Sequence, residues 1–414
     1  MKTADPELMR AINRFHVMDA IRRFGPIARV EICERTELSP TTVSAITAAL
    51  LDDQLITPRQ VGAVRDAARG RPRVLLELNP AAARVVGVKI APNRIFHVVT
   101  DFQGDVLAEL AQTVRVDRQP SDVIADLVED GVRRCVADAG LTLNSVESLC
   151  VALPGVVEHA TGLVRQSPLL RDLNVPFGKA LFQRLGLSTL VESDANAITI
   201  GEHWFRLCRD INDFAVVTVE HSLGLGIMHN GEIFRGAKGL SFNLGDLVLA
   251  ANGNGDGSTT RLADQAAEPA ILAPISDRPE TQDAMRLGRA MTLARDRIEA
   301  GDNELTAAAL RAGEALGLAI ANLVTLFAPP RVVLVGSTLV LGEHLMTGVR
   351  RALERSVPRW LADVSEISVD DADDTAWARG AAAAALLELY GAPWGTTGPA
   401  RPRNARQMQD GGAP

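Results

Sequence analysis

The stretch from Val216 to Asp246 constrains this chain most. Val216-Val217-Thr218-Val219 reads as a strand, Glu220-His221-Ser222-Leu223-Gly224-Leu225-Gly226 as a turn, and Ile227-Met228-His229-Asn230-Gly231 as a returning strand. An apolar, β-rich run entering a turn with two glycines is a common way to build a phosphate loop. Glycine lets the backbone approach an anion and aim its N–H groups at it. Here the loop is spoiled, because the acid Glu220 and the bulky Leu223 stand where a tight anion nest wants small neutral residues. The stretch ends in a second polar cluster, Asn243-Leu244-Gly245-Asp246. The pattern predicts a small-molecule site on an enzyme-like scaffold that has stopped being an enzyme.

A chain of 414 residues can bury more than one core, so two or three domains are expected. Charge is unevenly spread: residues 1–79 carry 12 Lys+Arg against 10 Asp+Glu, and the rest 31 against 41. A relatively basic head on an acidic body points to an anionic partner for the head. The four cysteines, Cys33, Cys135, Cys150 and Cys208, are far apart, with neither metal-ligand spacing nor a disulfide framework. The N-terminal residues lack the apolar core of a signal peptide. The longest apolar run, Leu316–Ala328, is too short and interrupted to span a bilayer. A soluble, cytoplasmic protein without membrane partners is expected.

The head reads as three helices. Ile12, Phe15, Met18 and Ile21 recur at helical spacing and stop at Phe24-Gly25-Pro26. A short helix fits Ala28–Thr36, burying Val30, Ile32 or Cys33. Ser39 is a good N-cap and Pro40 suits the first position of a third helix running to about Asp53, with Val43, Ile46, Thr47 and Leu50 inward. Thr41, Thr42 and Ser44 are left at its exposed start. The spacing fits a helix-turn-helix, and equally a plain three-helix bundle. A hairpin wing after the third helix tips the balance to the former. Its strands are Leu55-Ile56-Thr57 and Val74–Leu78, and its returning edge is Arg69-Gly70-Arg71-Pro72-Arg73. Gly and Pro keep these arginines extended, and an extended Arg-Gly-Arg-Pro suits a narrow A·T-rich minor groove. Ser39, Thr41, Thr42, Ser44, Arg69, Gly70, Arg71 and Arg73 are therefore the expected DNA contacts.

Asn79-Pro80 closes the head, giving domains 1–79 and 80–390 with a tail, 391–414, rich in Gly, Pro and Arg and expected to be disordered. The body alternates strand clusters with helices. Strands are expected at Val85–Ile90, Ile95–Thr100, Val106–Ala108, Val146–Leu153, Leu190–Glu192 and Arg331–Gly336, and helices at Ser121–Ala139, Ala195–Phe205, Leu316–Phe327 and Arg379–Tyr390. This is α/β architecture.

Several motifs in order resemble the ROK family (repressors, open reading frames and sugar kinases), in its repressor branch with an N-terminal winged helix-turn-helix. They are Ser39-Pro40-Thr41-Thr42-Val43-Ser44, Gly70-Arg71-Pro72, Leu76-Glu77-Leu78-Asn79, Leu153-Pro154-Gly155-Val156-Val157, Glu192-Ser193-Asp194-Ala195-Asn196-Ala197, Gly224-Leu225-Gly226 with Asn230-Gly231, and Arg379-Gly380-Ala381-Ala382. The resemblance covers about residues 8–390. It implies a two-lobed, actin-like (ribonuclease H-like) sugar-kinase scaffold behind the winged head, and a sugar-responsive transcription factor or a sugar kinase. It places an effector against Pro154, Gly155, Ser193, Asp194, Asn243 and Asp246, with Asp194 matching the family's catalytic aspartate.

The departures from the pattern argue against catalysis. Family kinases begin with Asp-φ-Gly-Gly-Thr, and the corresponding positions here are Lys89, Ala91, Pro92 and Asn93. Lysine cannot ligate Mg²⁺, and proline lacks the N–H a phosphate would use. Glu220-His221-Ser222 replaces a Gly-Thr-Gly phosphate loop, and the later adenosine-side turn keeps Gly336 but continues with Ser337. The family's Gly-Glu-φ-Gly-His becomes Asn243-Leu244-Gly245-Asp246, a further sugar-contacting Glu becomes Ala263, and Asn252–Gly257 stands in place of a zinc-binding cysteine cluster. No metal or cofactor is expected. The reading is a ROK-type repressor, a homodimer or homotetramer on a two-fold-related, A·T-containing operator, responding to a sugar or sugar derivative. The alternatives are a sugar kinase with an attached DNA-binding head and a ligand-independent DNA-binding regulator.

Overall fold

The computed structural model describes residues 6–60, 74–251 and 259–390. The described residues divide into two compact units, residues 6–77 with 387–390 and residues 78–386.

In the first unit, α1 (Pro6–Phe24), β1 (Ile27–Ala28), α2 (Arg29–Thr36) and α3 (Pro40–Asp52) precede β2 (Ile56–Gln60) and β3 (Val74–Leu78). The strands form one sheet in the order β1-β3-β2, so the wing has a third strand, too short to read from sequence. Met18, Ile21, Ile32, Val43 and Leu50 are buried. Val30, expected inside, is 68% exposed, because the buried stripe of α2 runs through Ile32, two residues on and across the helix. Ser39 caps α3 by accepting from the Thr42 backbone N–H at 3.2 Å. Thr47 is buried and accepts from Arg29 Nε at 2.8 Å, which ties α3 to α2.

The second unit has two lobes. Lobe I contains β4 (Val85–Ala91), β5 (Arg94–Thr100), β6 (Val106–Thr113), α4 (Ser121–Asp138), β7 (Ser148–Leu153), β8 (Val156–Glu158), β9 (Leu163–Gln166), α5 (Phe177–Leu185) and β10 (Ser188–Ser193), after which α6 (Asp194–Phe205) leaves it. Lobe II contains β11 (Phe214–Val219), β12 (Leu223–His229), β13 (Glu232–Ile233), β14 (Phe242–Asn243), β15 (Val248–Ala251), β16 (Thr259–Arg261), α7 (Ala263–Ala266), α8 (Glu268–Leu272), α9 (Pro279–Arg286), α10 (Ala290–Glu299), α11 (Asn303–Phe327), β17 (Arg331–Val335), α12 (Glu343–Ser356) and β18 (Glu366–Asp370), after which α13 (Asp374–Tyr390) leaves.

The two main sheets repeat one topology. Lobe I runs β6-β5-β4-β7-β10 and lobe II runs β13-β12-β11-β17-β18: an antiparallel meander of three strands followed by two parallel ones. Parallel strands need a crossover and a cover on each face. α4 and α5 cover lobe I from outside, around Val128, Val132 and Leu181. α11 and α12 cover lobe II, around Leu316, Ile320 and Val349. Helix α11 has 25 residues, longer than the apolar run suggested and long enough to cross a membrane by length and composition alone. Here it is a core helix: a Cβ at Gly313 or Gly317 would come within 2.0 Å of Leu345 O or 2.6 Å of Val349 O on α12.

The inner faces are covered by exchange. α13, leaving lobe II, packs on β4 at Gly87, where a Cβ would lie 2.1 Å from Ala378 O. α6, leaving lobe I, packs on β12 at Gly226, where a Cβ would lie 2.7 Å from Ala195 O. The helices cross at Gly201 and Gly380, whose Cα would be 3.1 Å from a Cβ on Gly201.

Gly224 and Gly226, expected in a phosphate-loop turn, lie instead within β12; the turn is only Glu220-His221-Ser222. Their missing side chains admit a helix rather than an anion, since a Cβ at Gly224 would lie 2.7 Å from Ala195 Cβ.

Candidate ligand cleft and nucleic-acid interface

The cleft is built where strand ends from both lobes meet the start of α6. β4 delivers Lys89, the end of β10 delivers Ser193, the first position of α6 delivers Asp194, and the β11–β12 turn delivers Glu220. Lys89 Nζ lies 2.8 Å from Glu220 Oε2 and 3.4 Å from the centroid of the Trp377 ring on α13. The Lys89 side chain is 3% exposed, so this ion pair bridges the lobes in a largely water-free setting. Such a charge is tolerable inside only when paired, and the indole face adds cation–π attraction.

Asp194 is buried, and its Oδ1 accepts from the Ala195 backbone N–H at 2.8 Å. Burial pushes its carboxyl up to about 6; Lys89 pulls down and Glu220 pushes up. Glu268, at the start of α8, is pushed up by burial to about 7, with the Ser337 hydroxyl bonded to its Oε1 and Glu220 again opposing its charge. These groups border a cavity of 820 Å³ that also takes in Pro154, Arg94, Met285 and Val340. That volume suits a small organic ligand.

The expected effector residues do not all converge. Pro154 and Asp194 line the cavity. Gly155 is outside the lining: its φ of +130° belongs to glycine, and its carbonyl accepts from Ser241 Oγ at 3.2 Å. Ser193 Oγ accepts from the Asn196 N–H and so caps α6. Asn243 and Asp246 are outside the lining; Asn243 donates to Asp246 Oδ2 at 2.7 Å, and Arg261 holds the Asp246 carbonyl at 3.0 Å. Ala263 starts α7, packed close to Gly245.

Sequence reasoning missed Glu268, Trp377 and a second interlobe cluster. Glu192 of lobe I is 1% exposed and binds Arg235 of lobe II at 2.6 and 3.0 Å, with His159 Nδ1 at 3.1 Å. Burial alone would raise the Glu192 carboxyl, but Arg235 and His159 hold it well below the ordinary range. An acid directly before Ser193-Asp194 was the available signal. Trp377 had none, because its role depends on which strand α13 meets.

In the head, Thr41, Ser44 and Ala45 are exposed on α3, while Thr42 is half-buried with its hydroxyl 2.8 Å from Ser39 Oγ. Two of the four expected hydroxyls therefore serve each other and the cap. Arg69, Gly70, Arg71 and Arg73 lie outside the described residues, as do the Asn252–Gly257 loop and the tail from Gly391.

A family model described as the ROK family matches residues 85–388. The chain belongs to the ROK family. A putative xylose repressor from Caldicellulosiruptor sp. (strain Rt8B.4) is 27% identical over 360 residues, 83% of this chain and 88% of that protein. The DNA-binding transcriptional dual regulator NagC of Escherichia coli (strain K12) is 23% identical over 353 residues, 84% of this chain and 86% of its own. Among solved structures, a ROK family transcriptional regulator that is a homologue of the E. coli MLC protein superposes with a TM-score of 0.72 at 22% identity, covering 93% of this chain and 99% of that one. A ROK family glucokinase from Streptomyces griseus, solved with glucose and AMPPNP, superposes with a TM-score of 0.60 at 22% identity, covering 72% of this chain and 98% of its own.

The body therefore has the two-lobed sugar-kinase fold, with the phosphate-handling positions of the kinase pattern replaced. Where the family pattern asks for a metal-handling aspartate and a glycine-rich phosphate loop, Lys89 and Glu220 neutralise each other instead. Phosphoryl transfer works by positioning and by neutralising developing negative charge. Here the cation is engaged by Glu220, and the Pro92 carbonyl is taken up by the Val116 and Asp117 N–H groups.

Proposed function

We propose that this ROK chain is a DNA-binding transcriptional repressor whose operator affinity is set by a sugar or sugar derivative held in the former kinase cleft. Residues 1–79 act as the DNA-binding head, and residues 80–390 as the effector and dimerisation body. The Lys89–Glu220 ion pair carries the reading: it fills the phosphate-handling positions yet leaves an 820 Å³ cavity beside Asp194. The names of the relatives, a xylose repressor and NagC among them, point the same way.

Two copies are proposed to bind two-fold-related half-sites, since one recognition helix reads few bases. With Thr41, Ser44 and Ala45 at the exposed start of α3, direct readout in the major groove is modest. Specificity then leans on Arg69 and Arg71 in an A·T-rich minor groove. The effector acts by binding one arrangement of the lobes better than another.

The test has two arms. Genomic fragments selected by the protein are titrated by fluorescence anisotropy at fixed salt, with and without a panel of sugars. A sugar that releases the operator, and an Arg71→Ala variant that loses more affinity for the operator than for a mixed-sequence duplex, are expected. Equal losses would make the wing a phosphate clamp. In the second arm, sugar-dependent ATP turnover that disappears in Asp194→Asn would replace the repressor reading with the kinase one.

A further inference from the structure

The balance of charge inside the cavity points to its occupant. Four cations border it, and each has a carboxylate partner: Lys89 with Glu220 at 2.8 Å, Arg94 with Asp374 at 2.9 Å, Arg115 with Asp117 at 3.8 Å, and Arg286 with Asp283. The acids are less evenly served. Asp117 and Glu220 are paired, whereas Asp194 and Glu268 form no ion pair among the described residues. Asp194 is only 6% exposed, borders the cavity, and uses a single oxygen, Oδ1, on the Ala195 N–H. Glu268 has only the Ser337 hydroxyl among the described residues. His221, also on the wall, is pushed by burial toward its neutral form and supplies no compensating charge.

We propose that the cleft takes a ligand bearing a protonated amine, an amino sugar with a free ammonium group, which neutralises Asp194 and Glu268. A neutral sugar would hydrogen-bond to Asp194 but leave both carboxylates to share Lys89, a cation already paired with Glu220. The raised carboxyls of Asp194 and Glu268 fit this, since burial and the nearby Glu220 outweigh the pull of Lys89 on both. The inference rests on the cleft being the effector site, and it adds the charge of the effector.

The experiment is a thermal-shift series on the full chain at constant ionic strength. It uses glucosamine, galactosamine and mannosamine against their N-acetyl and parent sugars, with cadaverine as an amine that is not a sugar. The free amino sugars should raise the melting temperature more than either neutral counterpart. The double variant Asp194→Asn with Glu268→Gln should abolish that preference. The same variant should melt no lower than the unliganded wild type, because neutral side chains of the same shape relieve the buried repulsion; this separates lost binding from a damaged fold. A larger shift with the neutral sugars overturns the ammonium inference and leaves the sugar reading intact. A shift with cadaverine alone supports the charge argument and overturns the sugar reading. No shift with any probe overturns both.

Discussion

Helix α6, leaving lobe I, and helix α13, leaving lobe II, begin alike and meet different electrostatic company. Each follows the last strand of a 3-2-1-4-5 sheet, each packs on the other lobe through a glycine, and each has an aspartate at its first position. Ser193 caps α6, with Asp194 next; Asp373 accepts from the Ala376 N–H at 2.8 Å, with Asp374 next. Asp374 is held by Arg94 at 2.9 Å, while Asp194 faces the cavity with no ion-pair partner of its own among the described residues. A duplicated architecture thus supplies a built-in control. The backbone asks for the same residue twice, and the difference in partners lies on the side where we propose the ligand binds.

The largest test of this pseudo-symmetry is steric. Gly87→Val and Gly226→Val each push side-chain atoms into the backbone of the exchanged helix, 2.1 Å from Ala378 O and 2.7 Å from Ala195 O at the Cβ alone. Both should destabilise by more than about 3 kcal/mol or prevent soluble folding, as severe overpacking of a core does. Urea denaturation that finds only one of them disruptive would break the equivalence of the two helices.

Next is the ion pair between the lobes. Lys89→Met leaves Glu220 facing Asp194 and Glu268 without a cation, and should lower stability by about 2–4 kcal/mol, less than for a fully buried pair because Glu220 keeps 22% exposure. Glu220→Gln should be milder, since Lys89 keeps the Trp377 face. Equal and small losses at pH 7 would reduce the pair to a surface contact.

The two aspartates should differ in pH dependence. Asp194 is raised by burial from 3.8 to about 6, so its contribution to stability is full below pH 3.8 and is lost as pH rises through 6. Glu268 behaves likewise between 4.5 and about 7. The unliganded protein should lose stability as pH rises from about 4 to 7 through these groups. Asp194→Asn should remove the lower part of that slope and gain up to about 3 kcal/mol at pH 8. Denaturation curves in a pH series check this; a slope unchanged in Asp194→Asn would mean that Asp194 has found a cation.

The smallest effect should come from Arg94→Gln, which leaves Asp374 without its partner and makes α13 begin more as α6 does. Arg94 is partly exposed, so the loss should be about 1 kcal/mol at pH 7. A new pH-dependent slope should accompany it, since burial already raises Asp374. A loss above about 3 kcal/mol, the size expected when a buried pair is broken, would show that Arg94 supports more than Asp374.

Local pattern carried much of the fold. The Ser39-Pro40 cap, the helix ending at Phe24 and the strands of the body follow from propensity and period, which depend on neighbours along the chain. Motif order carried the family. Lys89 and Glu220 are legible in sequence as two separate obstacles to phosphate binding. That they meet at 2.8 Å is not, because 131 residues separate them and only the closure of two sheets around α6 and α13 brings them together. The roles of Gly224 and Gly226 are hidden for the same reason: a glycine that admits a helix and one that admits a phosphate look identical in a one-dimensional string. Tertiary structure also removed Asn243 and Asp246 from the cavity, paired Arg94 with Asp374, and brought Glu268 beside the cleft. Sequence by itself determined which charges exist and which elements carry them. The packing of one lobe's helix onto the other lobe's sheet decided which charges cancel and which await a partner, because a buried charge is governed by the few ångströms around it.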